Sequence, residues 1–88
     1  MRTSFRASFA RDLRDIKEAG IRRRVADKIE EVEQASDLSQ IRHVKKLQGT
    51  GSFYRFRVGE YRIGAELEGD TVVFVRCLNR KEIYRFFP

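Results

Sequence analysis

The residues of this chain that could do chemistry together are basic and lie in its second half. They are Arg55, Arg57, Arg62, Arg76 and Arg80, with Lys81, Tyr84 and Arg85 just beyond. That inventory suits phosphodiester chemistry without a metal. Arginine is always charged and its planar fork matches a phosphate, so a cluster can hold a scissile group and stabilise the extra charge of a pentacoordinate transition state. If the substrate is RNA, its own 2′-hydroxyl is the nucleophile, and the protein need add only a base, an acid and positive charge. Tyr84 is the candidate base. Its reference pKa of about 10 is too high for neutral pH, but nearby guanidinium groups favour the tyrosinate. The alternative role for Tyr84, packing or stacking on a nucleobase, needs only its ring.

Other chemistries find little support. Glu66, Glu68 and Asp70, the carboxylates near one another, fall at or beside a predicted turn and read as surface. There is no glycine-rich phosphate loop, no serine elbow, and no cysteine with a base at a known spacing. One histidine and one cysteine cannot supply a zinc site, so neither metal nor cofactor is expected. The formal net charge of +6, from 19 Lys+Arg against 13 Asp+Glu, points to a polyanion or an acidic protein as partner. Cys77 has no partner for an internal disulfide, no apolar run approaches the roughly 20 residues that span a bilayer, and the N-terminus lacks a secretory apolar stretch. A cytoplasmic, metal-free protein away from membranes is the simplest expectation.

Three antiparallel strands are predicted to carry the arginines. Between Phe53 and Val58, Tyr54, Phe56 and Val58 alternate with Phe53, Arg55 and Arg57, so one face is core and the other basic. Tyr61, Ile63, Ala65 and Leu67 alternate likewise with Arg62, Gly64 and Glu66, with turns at Gly59-Glu60 and Glu68-Gly69-Asp70. The run Thr71–Leu78 is apolar on both faces except for Arg76, as a central strand would be. Ahead of these, Met1–Arg6 reads as an edge strand with Phe5 turned inward. Ser8 caps a helix that carries Phe9, Leu13 and Ile16 on one face and ends at Gly20, and a second helix runs from Ile21 to about Ala35 with Val25, Ile29 and Val32 in phase. Arg22-Arg23-Arg24 reads as a solvated helix face that the following acids can pair with. Ser36–Ser52 reads as a connector, yet Arg42, Lys45, Lys46, Arg55 and Arg57 occur between residues 41 and 57 without an acid, which favours a phosphate-facing role. His43 lies in that connector and could act as a base, since imidazole titrates near pH ~6.5, but a lone histidine there is more often incidental.

The helical pair followed by LQGTGSFYRFRVGEYRIGAELEGDTVVFVRCLNRKEIY resembles the RelE/ParE toxin superfamily, most clearly at Leu47–Gly49, Gly59-Glu60-Tyr61-Arg62 and Asn79–Tyr84. The resemblance spans nearly the whole chain. It implies an α+β fold, with an N-terminal helical hairpin packed on a small, mainly antiparallel sheet, as one domain over residues 1–88. It also implies a toxin of a bacterial toxin–antitoxin pair, with a cognate antitoxin as partner. In the RelE branch the activity is that of an endoribonuclease cutting mRNA on the ribosome, with Arg62 and Arg80 as transition-state stabilisers and Tyr84 as general base. Arg55, Arg57, Lys45, Lys46, Arg76, Lys81 and Arg85 would then bind RNA. The ParE branch shares the fold and poisons DNA gyrase without nuclease chemistry. Tyr84 beside Arg80 favours the RelE branch, because a gyrase poison needs no tyrosine poised at a cationic phosphate site.

Overall fold

Alternating apolar residues in the second half of the chain build the centre of a five-stranded sheet, and the two long helices supply its cover. The computed structural model describes residues 1–49 and 51–88. In chain order the elements are β1 (Arg2–Phe5), α1 (Ala7–Asp15), α2 (Ala19–Gln34), a 3₁₀ turn (Leu38–Gln40), β2 (Val44–Lys46), β3 (Phe53–Val58), β4 (Tyr61–Glu68), β5 (Thr71–Asn79) and α3 (Ile83–Phe86). The sheet order is β1-β5-β4-β3-β2, with β1 parallel to β5 and every other pair antiparallel. Phe56 and Val58 of β3, Ile63 and Ala65 of β4, and Val72, Phe74 and Cys77 of β5 pack against Phe9 and Ile16 from the first helical segment and Val25 and Val32 of α2. The α+β expectation and the basic alternation of β3 therefore hold.

Several sequence expectations are corrected. The middle strand is β4, not β5, because β1 pairs along one side of β5 and β2 lengthens the opposite end of the sheet. The supposed connector contains that strand: Val44, Lys45 and Lys46 pair with Phe56, Arg55 and Tyr54. Phe5 stays 50% exposed, lying over Phe74 with ring centres 5.5 Å apart, while Phe9 fills the core. Arg6, not Ser8, occupies the N-cap of α1; Ser8 Oγ instead donates to the Val75 carbonyl at 2.6 Å. Gly20 lies inside α2, and α1 ends where Ile16 turns extended.

The start of α1 differs from expectation because of the edge of β5. Pairing with β1 stops at Phe74, which would leave the rest of β5 with unpaired backbone groups on that side. The start of α1 closes the gap. The Arg6 amide donates to the Phe74 carbonyl at 2.9 Å, the Ser8 hydroxyl takes the next carbonyl, and Asp12 Oδ2 accepts from the Cys77 amide at 2.9 Å.

On the other face of the sheet the chain end provides the cover. Gly64 has no side chain, and a Cβ there would lie 2.5 Å from the ring of Phe87. That gap seats Phe87, which is buried together with Ile83. The tail is thereby fixed across β4 and β5, leaving the β3 side of this face open.

Candidate functional site

Strand alternation delivers the site. Arg55 and Arg57 of β3 and Arg62 of β4 lie on the face opposite the two long helices, and Lys45 of β2 joins them directly across from Arg55. Arg57 stands directly across from Arg62. His43, Val44, Lys45, Arg55, Arg57, Arg62 and Tyr84 line a concavity of about 310 Å³. No carboxylate among the described residues lines it, so the local field is uniformly cationic. Such a surface attracts phosphate and other anions and repels cations.

The backbone holds each of these groups in place. Arg62 Nη1 donates to the carbonyls of Gly59 and Tyr61, both at 2.9 Å, which draws its guanidinium toward the β3–β4 turn. Tyr84 is 67% exposed but lies in α3 between the buried anchors Ile83 and Phe87. Its ring sits under the Arg55 guanidinium, whose carbon is 4.4 Å from the ring centre. Burial of the flanking residues thus determines where an exposed phenol stands. His43 adopts φ 60°, left-handed for a residue with a side chain. Such a conformation costs on the order of 1 kcal/mol or more and persists where surrounding contacts enforce it.

The remaining candidates are placed elsewhere. Arg76 is committed to Asp12, with Nε to Oδ2 at 2.7 Å and Nη2 to Oδ1 at 3.1 Å. The hydrogen bond to Asp12 raises the pKa of the guanidinium, and Phe86 flanks it at 5.5 Å. Arg80 lies in the turn after β5, where Nε meets Glu60 Oε1 at 3.1 Å and its amide donates to the Glu60 carbonyl. Lys81 is exposed in the same turn, and Arg85 lies against Phe86. Lys46 falls on the opposite face from Lys45, beside Met1, Tyr54 and Leu67. The structure therefore gathers Lys45, Arg55, Arg57, Arg62 and Tyr84, and adds His43. A signal for His43 was present in the apolar Val44 followed by two lysines, a three-residue edge strand that its length concealed.

Comparison with known proteins places this arrangement in a family. Residues 4–84 match the family described as ParE toxin of type II toxin–antitoxin system, parDE. Toxin RelE3 of Methanocaldococcus jannaschii is 42% identical over 89 residues, which cover all of both chains. The RelB–RelE antitoxin–toxin complex from Methanococcus jannaschii contains a chain of 41% identity with a TM-score of 0.82, covering 97% of this chain and 99% of that one. An archaeal RelE–RelB complex from Pyrococcus horikoshii shares the fold at 22% identity, with a TM-score of 0.73 over 90% of this chain and 93% of that one. Site, fold and relatives converge: the chain belongs to the RelE/ParE superfamily of toxins from type II toxin–antitoxin systems.

Proposed function

We propose that the chain is an endoribonuclease that cuts mRNA on the ribosome by attack of the RNA 2′-hydroxyl, and that a cognate antitoxin holds it in check. The observation that carries this reading is the pairing of Arg57 with Arg62 directly across two strands, on a concavity shared with Arg55, Lys45 and Tyr84. Like charges directly opposite destabilise a sheet, and a phosphate between them would relieve that repulsion. Arg57 and Arg62 hold the scissile phosphate and the charge that grows on it, Arg55 binds the adjoining backbone, and Tyr84 takes the 2′-hydroxyl proton. Arg80 acts from the rim, leaving Glu60 for a non-bridging phosphate oxygen, with Lys81 and Arg85 extending the electrostatic footprint. The step as written draws its positive charge from these arginines and uses no metal ion.

The antitoxin proposal rests on related structures that are toxin–antitoxin complexes and on the +6 charge, which suits an acidic partner. Binding of that partner should weaken as salt rises.

Tyr84→Phe, compared with Tyr84→Ala in a reconstituted ribosome assay, tests the chemistry. Loss of a general base costs about 100-fold to 10,000-fold, so the Phe variant should fall by that much while still binding substrate. The wild-type products should end in a 2′,3′-cyclic or 3′-phosphate. A Phe variant that keeps its activity would reduce Tyr84 to a stacking platform. The family description favours one other reading, the gyrase poison. RNA left intact while purified gyrase is trapped on DNA would establish it instead.

A further inference from the structure

We infer that His43 is the general acid of the cleavage, donating a proton to the 5′-oxygen as it leaves phosphorus. The inference rests on the ribonuclease reading above and extends it to the second half of the proton balance. Attack by the 2′-oxygen releases one proton to Tyr84. Cleavage of the phosphorus–O5′ bond generates an alkoxide that must gain one. The arginines and Lys45 are occupied in holding the phosphate, which leaves the imidazole of His43 as the lining group placed to give a proton to the leaving oxygen.

The backbone explains how a residue in the turn before an edge strand reaches this position. Lys28 Nζ, only 12% exposed, holds the Arg42 carbonyl at 3.1 Å and Glu31 Oε1 at 2.9 Å, pinning the residue before His43 to α2. The Arg57 amide donates to the His43 carbonyl at 2.9 Å, pinning the residue itself to β3. Held from both sides, His43 takes its left-handed φ of 60° and lines two adjoining hollows, the arginine-lined one and a second of about 240 Å³ against α2. Its backbone is level with Arg57, whereas Tyr84 lies over Arg55, two residues along β3. Two residues of strand are about 7 Å, room for an acid and a base to flank one phosphodiester.

The imidazole is faced by opposing charges. Asp27 and Glu31 of α2 line the hollow on its helix side, together with Arg24 and Lys28 of the same helix. From the sheet and the tail, Lys45, Arg55, Arg57, Arg62 and Tyr84 face it. A phosphodiester bound among the arginines would bring its own negative charge beside the imidazole.

The test is His43→Asn, because asparagine tolerates the left-handed backbone while removing the acid. Ribosomes are programmed with two mRNAs, one natural and one carrying sulfur in place of the 5′-bridging oxygen at the cleaved linkage, whose thiolate leaves without protonation. On natural mRNA the variant should lose about 100-fold to 10,000-fold. On the sulfur-bridged mRNA the variant should match wild type. Equal losses on both substrates, or no loss on either, would overturn the assignment while leaving the ribonuclease reading intact. A wild-type chain that cuts neither mRNA would overturn both.

Discussion

A site built by forcing like charges together should make the fold more stable when one of them is removed. Arg57 and Arg62 are directly opposite on β3 and β4, with Cβ atoms about 4.5–5.5 Å apart by sheet geometry, and such a like-charge pair costs roughly 0.2–1 kcal/mol. Arg57 is the better one to neutralise, because Arg62 also donates to the Gly59 and Tyr61 carbonyls and its loss would sacrifice those bonds. Arg57→Gln keeps most of the stem over the sheet and removes the charge. For a domain of this size the gain corresponds to a rise in Tm of about 1–8 °C. Thermal melts at low ionic strength should show it, and raising the salt toward 1 M should erase most of it, since the Debye length there is about 3 Å. The same variant should bind and cleave RNA more weakly. Inorganic phosphate should raise the wild-type Tm more than the variant's, as expected of an anion bound by the folded state alone. A variant that melts below wild type at low salt, or gains equally at all salt concentrations, would refute the claim that the arginines are held together against electrostatic cost.

Three further outcomes follow from the packing around the site. Gly64→Ala should drive Phe87 from its seat, since the new Cβ would fall 2.5 Å from the ring; overpacking of this kind costs about 1–3 kcal/mol, and activity should drop with it as Tyr84 loses an anchor, read by melting and cleavage together. Asp12→Ala removes the acceptor for Arg76 and for the Cys77 amide and should cost about 2–3 kcal/mol in urea unfolding; the 26% exposure of Arg76 keeps the figure below that of a fully buried pair. Burial pushes the Cys77 thiol up to about 12, so it should resist alkylation in the native state. Because the unfolded thiol ionises from about pH 9 upward while the folded one stays protonated, its contribution to stability is full below that pH and declines toward pH 12. Cys77→Ala should flatten that part of the pH–stability curve.

The parts of the fold legible in the sequence were those with long period-two patterns. The alternation through Phe53–Val58 and Tyr61–Leu67 gave the basic face and the partnership of Arg55, Arg57 and Arg62, because a strand of six or more residues repeats its pattern often enough to be read. The three-residue β2 repeats nothing, so Lys45 and Lys46 looked equivalent until pairing placed them on opposite faces. Arg76 looked like another member of the cluster because it is an arginine on the strand beside β4; alternation with the buried Val72 and Phe74 alone would turn it to the core, and a register shift between β4 and β5 sets it across from Gly64 instead. What alternation does not record is the unpaired edge of β5, where Asp12 reaches from α1 and takes both the guanidinium and the adjacent amide. Both misreadings involve contacts between separate elements, which local periodicity cannot carry.

The placement of Tyr84 shows how such a small chain can hold an exposed phenol still. A phenol that is 67% exposed gains little from its own burial. Ile83 before it and Phe87 three residues after it are buried, and Phe87 fits only because residue 64 is glycine. The stability of the tail therefore comes from the sheet, and the exposed residue inherits that order without being covered. Arg55 adds a contact of its own at 4.4 Å, worth about 0.5–1 kcal/mol at an exposed site, weak enough for a bound nucleotide to displace. An open, shallow, cationic surface with one immobilised phenol suits a long polyanion that lies across it, whereas a small metabolite would find nothing to enclose it.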